Sequence, residues 1–186
     1  QVFGGTSDNT LSQIRKAFTI DFDQKYLADE ITDFPYEEIL KQIRKDTAIN
    51  ADFIEELLNT QKDSKYSFSI LSLIYPYLDY KNNNFHKDHL HPESKFSDLS
   101  DSDKTKSSWG QYNSICNLQM LDANENMSKN GKSLNEWVEK EVKTKDRTTF
   151  LENHLIPDVD LELNNFDNFY TSRKKILTIK LTDLLS

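Results

Sequence analysis

The sequence predicts a mainly helical α+β fold in which a small strand–strand–helix unit is inserted among helices. Apolar side chains repeat at intervals of three and four over much of the chain, and only four Gly and four Pro interrupt 186 residues. Residues 85–129 break this pattern with two short strand signals separated by a polar connection. We expect a helical scaffold over residues 1–80, the insert over 81–145, and C-terminal helices over 146–186 packing on the scaffold, together one compact domain.

Helix patterns lie on both sides of the insert, and their apolar stripes are expected to form the core. A buried helix is favoured over residues 66–80, ending near Pro76, although a buried strand fits the same composition. N-cap and proline signals place further helices after Thr6-Ser7-Asp8-Asn9, from Asp21 towards Ile31, from Pro35, over 51–59 behind Asn50 and over 134–142 behind Ser133. A short helix is also expected over 150–156, and apolar residues at intervals of three and four predict a long one over 164–185.

The charge of the chain argues against a strongly basic nucleic-acid-binding surface. The net charge is −8, and the acidity is uneven: residues 1–80 hold eight basic and 14 acidic side chains, whereas residues 81–145 hold ten of each. A neutral segment with clustered lysines can contact phosphates locally but lacks the basic stripe that gives strong non-specific affinity. Weak DNA binding by this chain alone is therefore expected.

Cysteine content and hydropathy limit the cellular locations that the sequence predicts. Cys116 is the only cysteine, which excludes a disulfide framework and favours a reducing, cytoplasmic location. No apolar run approaches the roughly 18 residues of a membrane span, and no signal peptide is visible. Because the sequence starts at Gln1 without an initiator Met, we expect it to be part of a longer protein.

Residues 85–129 carry most of the side chains suited to chemistry. Asp88-His89-Leu90-His91-Pro92 ends the first strand pattern, Asn117 begins the second, and Asn126 and Lys129 follow in a helix pattern. A carboxylate and an amide oxygen suit Mg²⁺ or Mn²⁺ better than Zn²⁺. A histidine that titrates near neutrality suits a general base. The set thus offers oxygen ligands for a hard divalent cation and a candidate general base.

The order of these residues resembles that of the HNH (ββα-metal) nucleases, whose pattern is Asp-His-x-x-Pro, a middle Asn and a third ligand on the following helix. The resemblance implies that Asp88 and Asn126 bind the metal and that His89 is the general base. It also implies that Asn117 holds the hairpin and orients His89, and that Lys129 contacts a phosphate. Asn126 stands in place of the usual final His, as in the HNH domain of CRISPR effector nucleases.

The rest of the chain looks like the C-terminal region of GmrSD-like and SspE-like restriction and phage-defence proteins. That resemblance implies a DNA endonuclease, the effector domain of a bacterial defence protein, with an N-terminal sensor or nucleotide-binding domain beyond this chain. Whether one or both DNA strands are cut, and the oligomeric state, are left open.

Each assignment has an alternative. Asp88 and Asn117 fit turn positions, His89 a hydrogen-bonded polar residue at a strand end, Asn126 a helix N-cap, and Lys129 a plain surface charge. Adjacent residues of a strand point to opposite faces of the sheet. Asp88 and His89 can therefore serve one site only if the strand bends or ends at this point. The nearby Pro92 is consistent with such an ending.

The remaining histidines give a second hypothesis. His86, His89, His91 and Cys116 are candidate zinc ligands, and a zinc-stapled or purely structural hairpin would make the chain a non-catalytic DNA- or protein-interaction module. His91 is otherwise expected to pack near His89, and His86 to lie at the surface. Asn153-His154-Leu155-Ile156-Pro157 repeats the His-x-x-Pro spacing without a preceding Asp, so His154 is not expected to be catalytic.

Overall fold

The structure, a computed structural model, describes residues 7–18, 33–43 and 49–185. Within these residues the protein is mainly helical and contains a two-stranded antiparallel sheet. None of the described helices is long and apolar enough to cross a membrane. The helix predicted from Asp21 towards Ile31 lies outside the described residues. The helices are α1 (Ser7–Lys16), α2 (Tyr36–Ile43), α3 (Ala51–Leu58), α4 (Ser67–Ile74), α5 (Asp101–Lys106), α6 (Trp109–Tyr112), α7 (Ala123–Lys129), α8 (Leu134–Glu141), α9 (Arg147–His154) and α10 (Phe166–Leu185), and the strands are β1 (Phe85–His89) and β2 (Leu118–Asp122).

The chain divides into two compact units, residues 1–48 and 49–186. In the first, α1 packs on α2, and the ring of Phe18 meets that of Phe34 edge-on at 6.0 Å. The second contains α3 to α10 and both strands. Residues 51–80, which the sequence assigned to an N-terminal scaffold, thus share a unit with the predicted insert and the C-terminal helices.

The core of the second unit is one cluster of apolar side chains from α3, α4, β2 and the helices after it. The sequence patterns locate several of these helices correctly. Asn50 Oδ1 accepts a hydrogen bond of 2.9 Å from the Phe53 amide and so caps α3. Ser133 and Glu136 form a reciprocal capping box at the start of α8. The apolar stretch before Pro76 is a helix, as favoured, and its C-cap is Tyr75.

The polar connection between the strands is more ordered than the sequence indicated. It contains two short helices and two 3₁₀ turns rather than a loop. Ser100 caps α5 through the Asp103 amide, and Ser108 with Gln111 forms a capping box on α6. These local caps satisfy the backbone donors that such short helices expose, which explains why a run rich in Ser, Asp and Lys becomes helical.

Strands β1 and β2 pair antiparallel, with Asp88 opposite Gln119 and His89 opposite Leu118. Helix α7 follows β2 directly, because Asp122 Oδ1 accepts hydrogen bonds of 2.8 Å from the amides of Asn124 and Glu125. The N-cap is therefore Asp122, and Asn126 lies inside the helix. The sheet and α7 bring residues 88 and 129 together.

Helix α10 fixes the start of β2 through the fully buried Arg173. The guanidinium donates to the carbonyl oxygens of Cys116 and Leu155, each at 3.0 Å, and to the hydroxyl of Tyr75 at 2.8 Å. A single cation thus ties α4, the end of α9 and the 3₁₀ turn Ile115–Asn117 to one helix. This frame holds the second strand beneath the candidate site.

Candidate active site

Strand β1 ends at His89, and the chain bends at Leu90 and His91 before Pro92. This satisfies the requirement that the strand ends where the Asp-His pair lies. The two side chains nevertheless contact different groups: Asp88 contacts β2 and α7, whereas His89 contacts the segments before α4 and after α6. No hydrogen bond joins the carboxylate to the imidazole.

The carboxylate of Asp88 is bound through one oxygen. Its Oδ2 accepts hydrogen bonds from Lys129 Nζ at 2.6 Å and from Gln119 Nε2 at 3.2 Å. Its Oδ1 has no hydrogen-bond partner among the described residues, and 22% of the side chain is exposed. One oxygen of Asp88 is therefore fixed and the other is available to a ligand.

Lys129 is almost completely buried, which differs from the plain surface charge considered as its alternative. Its ammonium group donates to Asp88 Oδ2 and to the backbone oxygen of His89, and it lies 5.7 Å above the ring of Trp137. Burial lowers the pKa of Lys129, and the adjacent carboxylate opposes that shift. A side-chain oxygen of Asp88 and the backbone oxygen of His89 thus already bind one cation, the ammonium group of Lys129.

Asn126 lies three residues before Lys129 on α7, so the two share a face of the helix. Its side chain is partly exposed and makes no hydrogen bond with any residue that the structure describes. Asn126 makes no hydrogen bond with Asp88 or His89. The i, i+3 spacing places it on the side of α7 that also carries Lys129, and its amide oxygen has no hydrogen-bond partner among the described residues.

The imidazole of His89 is only 2% exposed, and both of its nitrogens have neighbours. Nε2 lies 3.0 Å from Asn113 Oδ1, and Nδ1 lies 3.3 Å from Lys62 Nζ and 3.8 Å from a carboxylate oxygen of Glu93. An ammonium only donates, so Nδ1 must be the acceptor and Nε2 must carry the hydrogen. Burial, and then Lys62, lower the pKa of His89, which favours the neutral form.

Asn117 is completely buried and holds the bend after β1. Its Oδ1 accepts from the amide of His91 at 2.9 Å, and its Nδ2 donates to the carbonyls of His91 and Tyr112 at 3.1 and 2.8 Å. It does not contact the imidazole of His89. The side chain that orients this imidazole is Asn113, for which the sequence offered no motif signal.

The residues of the zinc hypothesis do not converge. Among the described residues, no three His, Cys, Asp or Glu side chains form a group able to hold a metal ion. His91 packs edge-on against Phe166 and Phe169, and its buried Nε2 has no partner in the described part of the chain. Cys116 is buried with its thiol towards the Leu58 carbonyl, and His86 is exposed.

His154 is closer to the candidate site than its sequence context indicated. Its Nδ1 lies 3.1 Å from Oε1 of Gln119, the residue whose Nε2 binds Asp88. It also lines a cavity of about 500 Å³ bounded by the segment that follows α4 and by β2, α7 and α9. Gln119 was not singled out in the sequence, where it reads as an ordinary polar residue in a short strand.

The donor atoms around Asp88 fit a hard divalent cation better than zinc. Asp88 Oδ1 and the Asn126 amide oxygen make no hydrogen bond with any residue that the structure describes. Oxygen donors with few protein ligands are typical of Mg²⁺ and Mn²⁺.

Comparison of the chain with models of known protein families gives no match, and no curated protein matches it significantly in sequence. The geometry of the site is therefore the basis for a functional assignment.

Proposed function

We propose that the chain is a metal-dependent DNA endonuclease domain of the HNH (ββα-metal) type. The supporting observation is the ion pair between the buried Lys129 and the partly exposed Asp88, which joins β1 to α7 beside a neutral His89 whose lone pair lies on Nδ1. The order strand, strand, helix, with Asp-His at the end of β1 and Asn126 on α7, is the order that the HNH resemblance requires.

In this proposal Asp88 Oδ1 and the Asn126 amide oxygen hold Mg²⁺ or Mn²⁺. The ion would supply charge stabilisation to the phosphate oxygens and the leaving alkoxide. Lys129 keeps Asp88 Oδ2 occupied, and its burial favours a role in holding the carboxylate over a direct phosphate contact. Asn117 fixes the bend that follows the Asp-His pair.

His89 acts as the general base through Nδ1. It accepts a proton from a water molecule as the water oxygen attacks phosphorus, and the bond from phosphorus to the leaving oxygen breaks. Asn113 holds the Nε2–H so that the lone pair stays on Nδ1. Lys62 and Glu93, with side chains 28% and 59% exposed, lie at the open side of the ring and must give way to water and phosphate.

The wider assignment rests on the resemblance alone. DNA is the proposed substrate, and a sensor or nucleotide-binding domain beyond this chain is proposed to supply target recognition in a cytoplasmic anti-phage or restriction system. The balanced charge of residues 81–145 agrees with recognition being supplied elsewhere.

A plasmid-nicking assay with Mg²⁺, Mn²⁺ or chelator tests the proposal. Wild-type protein should nick plasmid only with metal, and His89→Ala should abolish nicking while the far-ultraviolet circular dichroism spectrum stays unchanged. His86→Ala, an exposed histidine on the same strand, is the matched control and should nick like wild type. Equal nicking by His89→Ala and wild type would refute the assigned base.

A non-catalytic interaction module is the second candidate, and the near-complete burial of His89 and His91 favours it. Mn²⁺ binding separates the two. Binding that is lost in both Asp88→Asn and Asn126→Ala supports the nuclease, whereas a protein that binds no Mn²⁺ and keeps its fold supports the module.

A further inference from the structure

Three side chains form a continuous hydrogen-bonded row on the side of β2 that faces Asp88. Gln119 Nε2 lies 3.2 Å from Asp88 Oδ2, and Gln119 Oε1 lies 3.1 Å from His154 Nδ1. Gln119 is completely buried, so its amide has no water to exchange with. The row extends from the candidate metal-binding carboxylate on β1, through Gln119 on β2, to His154 at the end of α9, which is 35 residues beyond Gln119.

Donor and acceptor roles in this row follow from chemistry. A carboxylate oxygen only accepts, so the Gln119 NH₂ group must face Asp88 and its carbonyl oxygen must face His154. His154 Nδ1 therefore carries the hydrogen and donates it. Burial is the main cause that lowers the pKa of His154 to about 4, so the ring is neutral at neutral pH and its other nitrogen bears the lone pair.

His154 itself is held firmly in place. Its ring packs on Phe150 at 4.5 Å and edge-on to Trp137 at 5.0 Å, and its backbone oxygen accepts from the Tyr75 hydroxyl at 3.1 Å. Helix α9 ends immediately after it at Leu155, which adopts a left-handed conformation with φ 52°. A ring held in this way can fix the orientation of the Gln119 amide.

The row determines which oxygen of Asp88 is free. Gln119 and Lys129 both bind Oδ2 from different elements, β2 and α7, and two such bonds prevent rotation of the carboxylate. Oδ1 is then the oxygen without a hydrogen-bond partner among the described residues, on a side chain that is 22% exposed. Partners that orient metal ligands in this way tune metal affinity strongly.

We propose that Gln119 and His154 are positioning residues for the metal-binding carboxylate of Asp88: His154 fixes Gln119, and Gln119 fixes the carboxylate. This inference rests on the proposed function, because it presumes that Asp88 binds the metal. It assigns a role to the histidine whose His-x-x-Pro spacing, taken alone, did not indicate one.

The first test measures Mn²⁺ affinity of the full chain by electron paramagnetic resonance. Gln119→Met, close in size but without the donor, should weaken Mn²⁺ binding by about 10-fold to 100-fold. His154→Leu should weaken it less, and His154→Asn should restore it, since Asn Nδ2 can donate from nearly the position of His Nδ1. The Gln119→Met, His154→Leu double variant should bind like Gln119→Met alone, because His154 acts only through Gln119.

The control is His86→Leu, which removes an exposed histidine from β1 and should leave Mn²⁺ affinity unchanged. Additive effects of the two substitutions, or wild-type affinity in Gln119→Met, would overturn the positioning role. Asp88→Asn separates this inference from the proposed function. If Asp88→Asn binds Mn²⁺ normally, the proposed metal site fails; if it loses binding while Gln119→Met does not, only the positioning role fails.

A second measurement is made on the wild-type chain, and a variant serves only to assign the signals. The nitrogen chemical shifts of His154 in the wild-type chain, assigned with His154→Asn, report which ring nitrogen carries hydrogen. A neutral Nδ1–H form is expected at neutral pH. An Nε2–H form would break the row at Gln119 and overturn the inference.

Discussion

The ammonium group of Lys62 lies 3.3 Å from Nδ1 of His89, the nitrogen that the proposed mechanism needs as a base. Lys62 comes from the segment between α3 and α4, and its Nζ is also 3.6 Å from Glu93. Held between a lone pair and a carboxylate, the ammonium covers the base in the absence of substrate. A phosphate oxygen is a stronger partner for it than a neutral imidazole, so substrate binding favours uncovering Nδ1.

Replacing Lys62 should therefore change the pH dependence of nicking. Lys62 lowers the pKa of His89, while Glu93 and Asp88 raise it. His89 acts as a base only when neutral, so in Lys62→Met the higher pKa should move the acid limb of the rate profile to higher pH. Nicking rates measured from acid to mildly alkaline pH check this. Lys65→Met, an exposed lysine in the same segment, should leave the profile in place.

Replacing Asn113 should slow nicking, because its side-chain oxygen lies 3.0 Å from Nε2 of His89 and orients the imidazole. Asn113→Leu removes the acceptor for Nε2–H and leaves the buried imidazole free to change tautomer, so the nicking rate should fall by roughly 10-fold to 100-fold. Asn113→Asp keeps an oxygen acceptor and should retain more activity than Asn113→Leu. Single-turnover nicking at saturating metal measures both, and equal activity of the two variants would contradict the orienting role.

The sequence predicted the local features of this fold better than the contacts of the site. Caps at Asn50 and Ser133 and the ending of α4 before Pro76 depend on neighbouring residues, and the patterns found them. The contact of Lys62 with His89 joins residues 27 apart in the chain, and no local pattern encodes such a pair.

The sequence pattern also did not reveal which polar side chains are buried. Lys129 reads as a surface charge because lysines usually are exposed, yet α7 turns it inward onto Asp88. Asn117 was singled out by the motif, but its partners are backbone groups of His91 and Tyr112 rather than the predicted imidazole. The motif thus singled out Asp88 and Lys129, which the structure joins directly, whereas the tertiary structure determined which groups His89 and Asn117 bind.

Asn117→Ala should destabilise the protein severely. The change leaves the His91 amide and two buried carbonyls without their partners, and each such group costs about 1–3 kcal/mol. We expect a loss of about 3 kcal/mol or more in the free energy of unfolding, measured by urea titration. Asn124→Ala, at an exposed position of α7, should change it by less than about 0.5 kcal/mol. Equal stability of both variants would show that the bend is held by other contacts.

Acidification should destabilise the fold through His91. Burial is the main cause that lowers the pKa of His91 in the folded state to about 3, against an ordinary value of 6.5. Between these values the unfolded chain binds a proton that the folded chain does not, so stability falls as pH falls from 6.5 towards 3. The contribution of this one residue is about 1.4 kcal/mol per pH unit over most of that window.

His91→Leu should remove that contribution and leave the packing against Phe166 and Phe169 largely intact. Urea unfolding at a series of pH values from neutral to mildly acidic should then show a slope of stability against pH that is smaller by about one proton, or about 1.4 kcal/mol per pH unit. The exposed His86→Leu controls for the loss of a histidine. A wild-type slope in His91→Leu would mean that His91 becomes protonated without unfolding, which its unpartnered and buried Nε2 argues against.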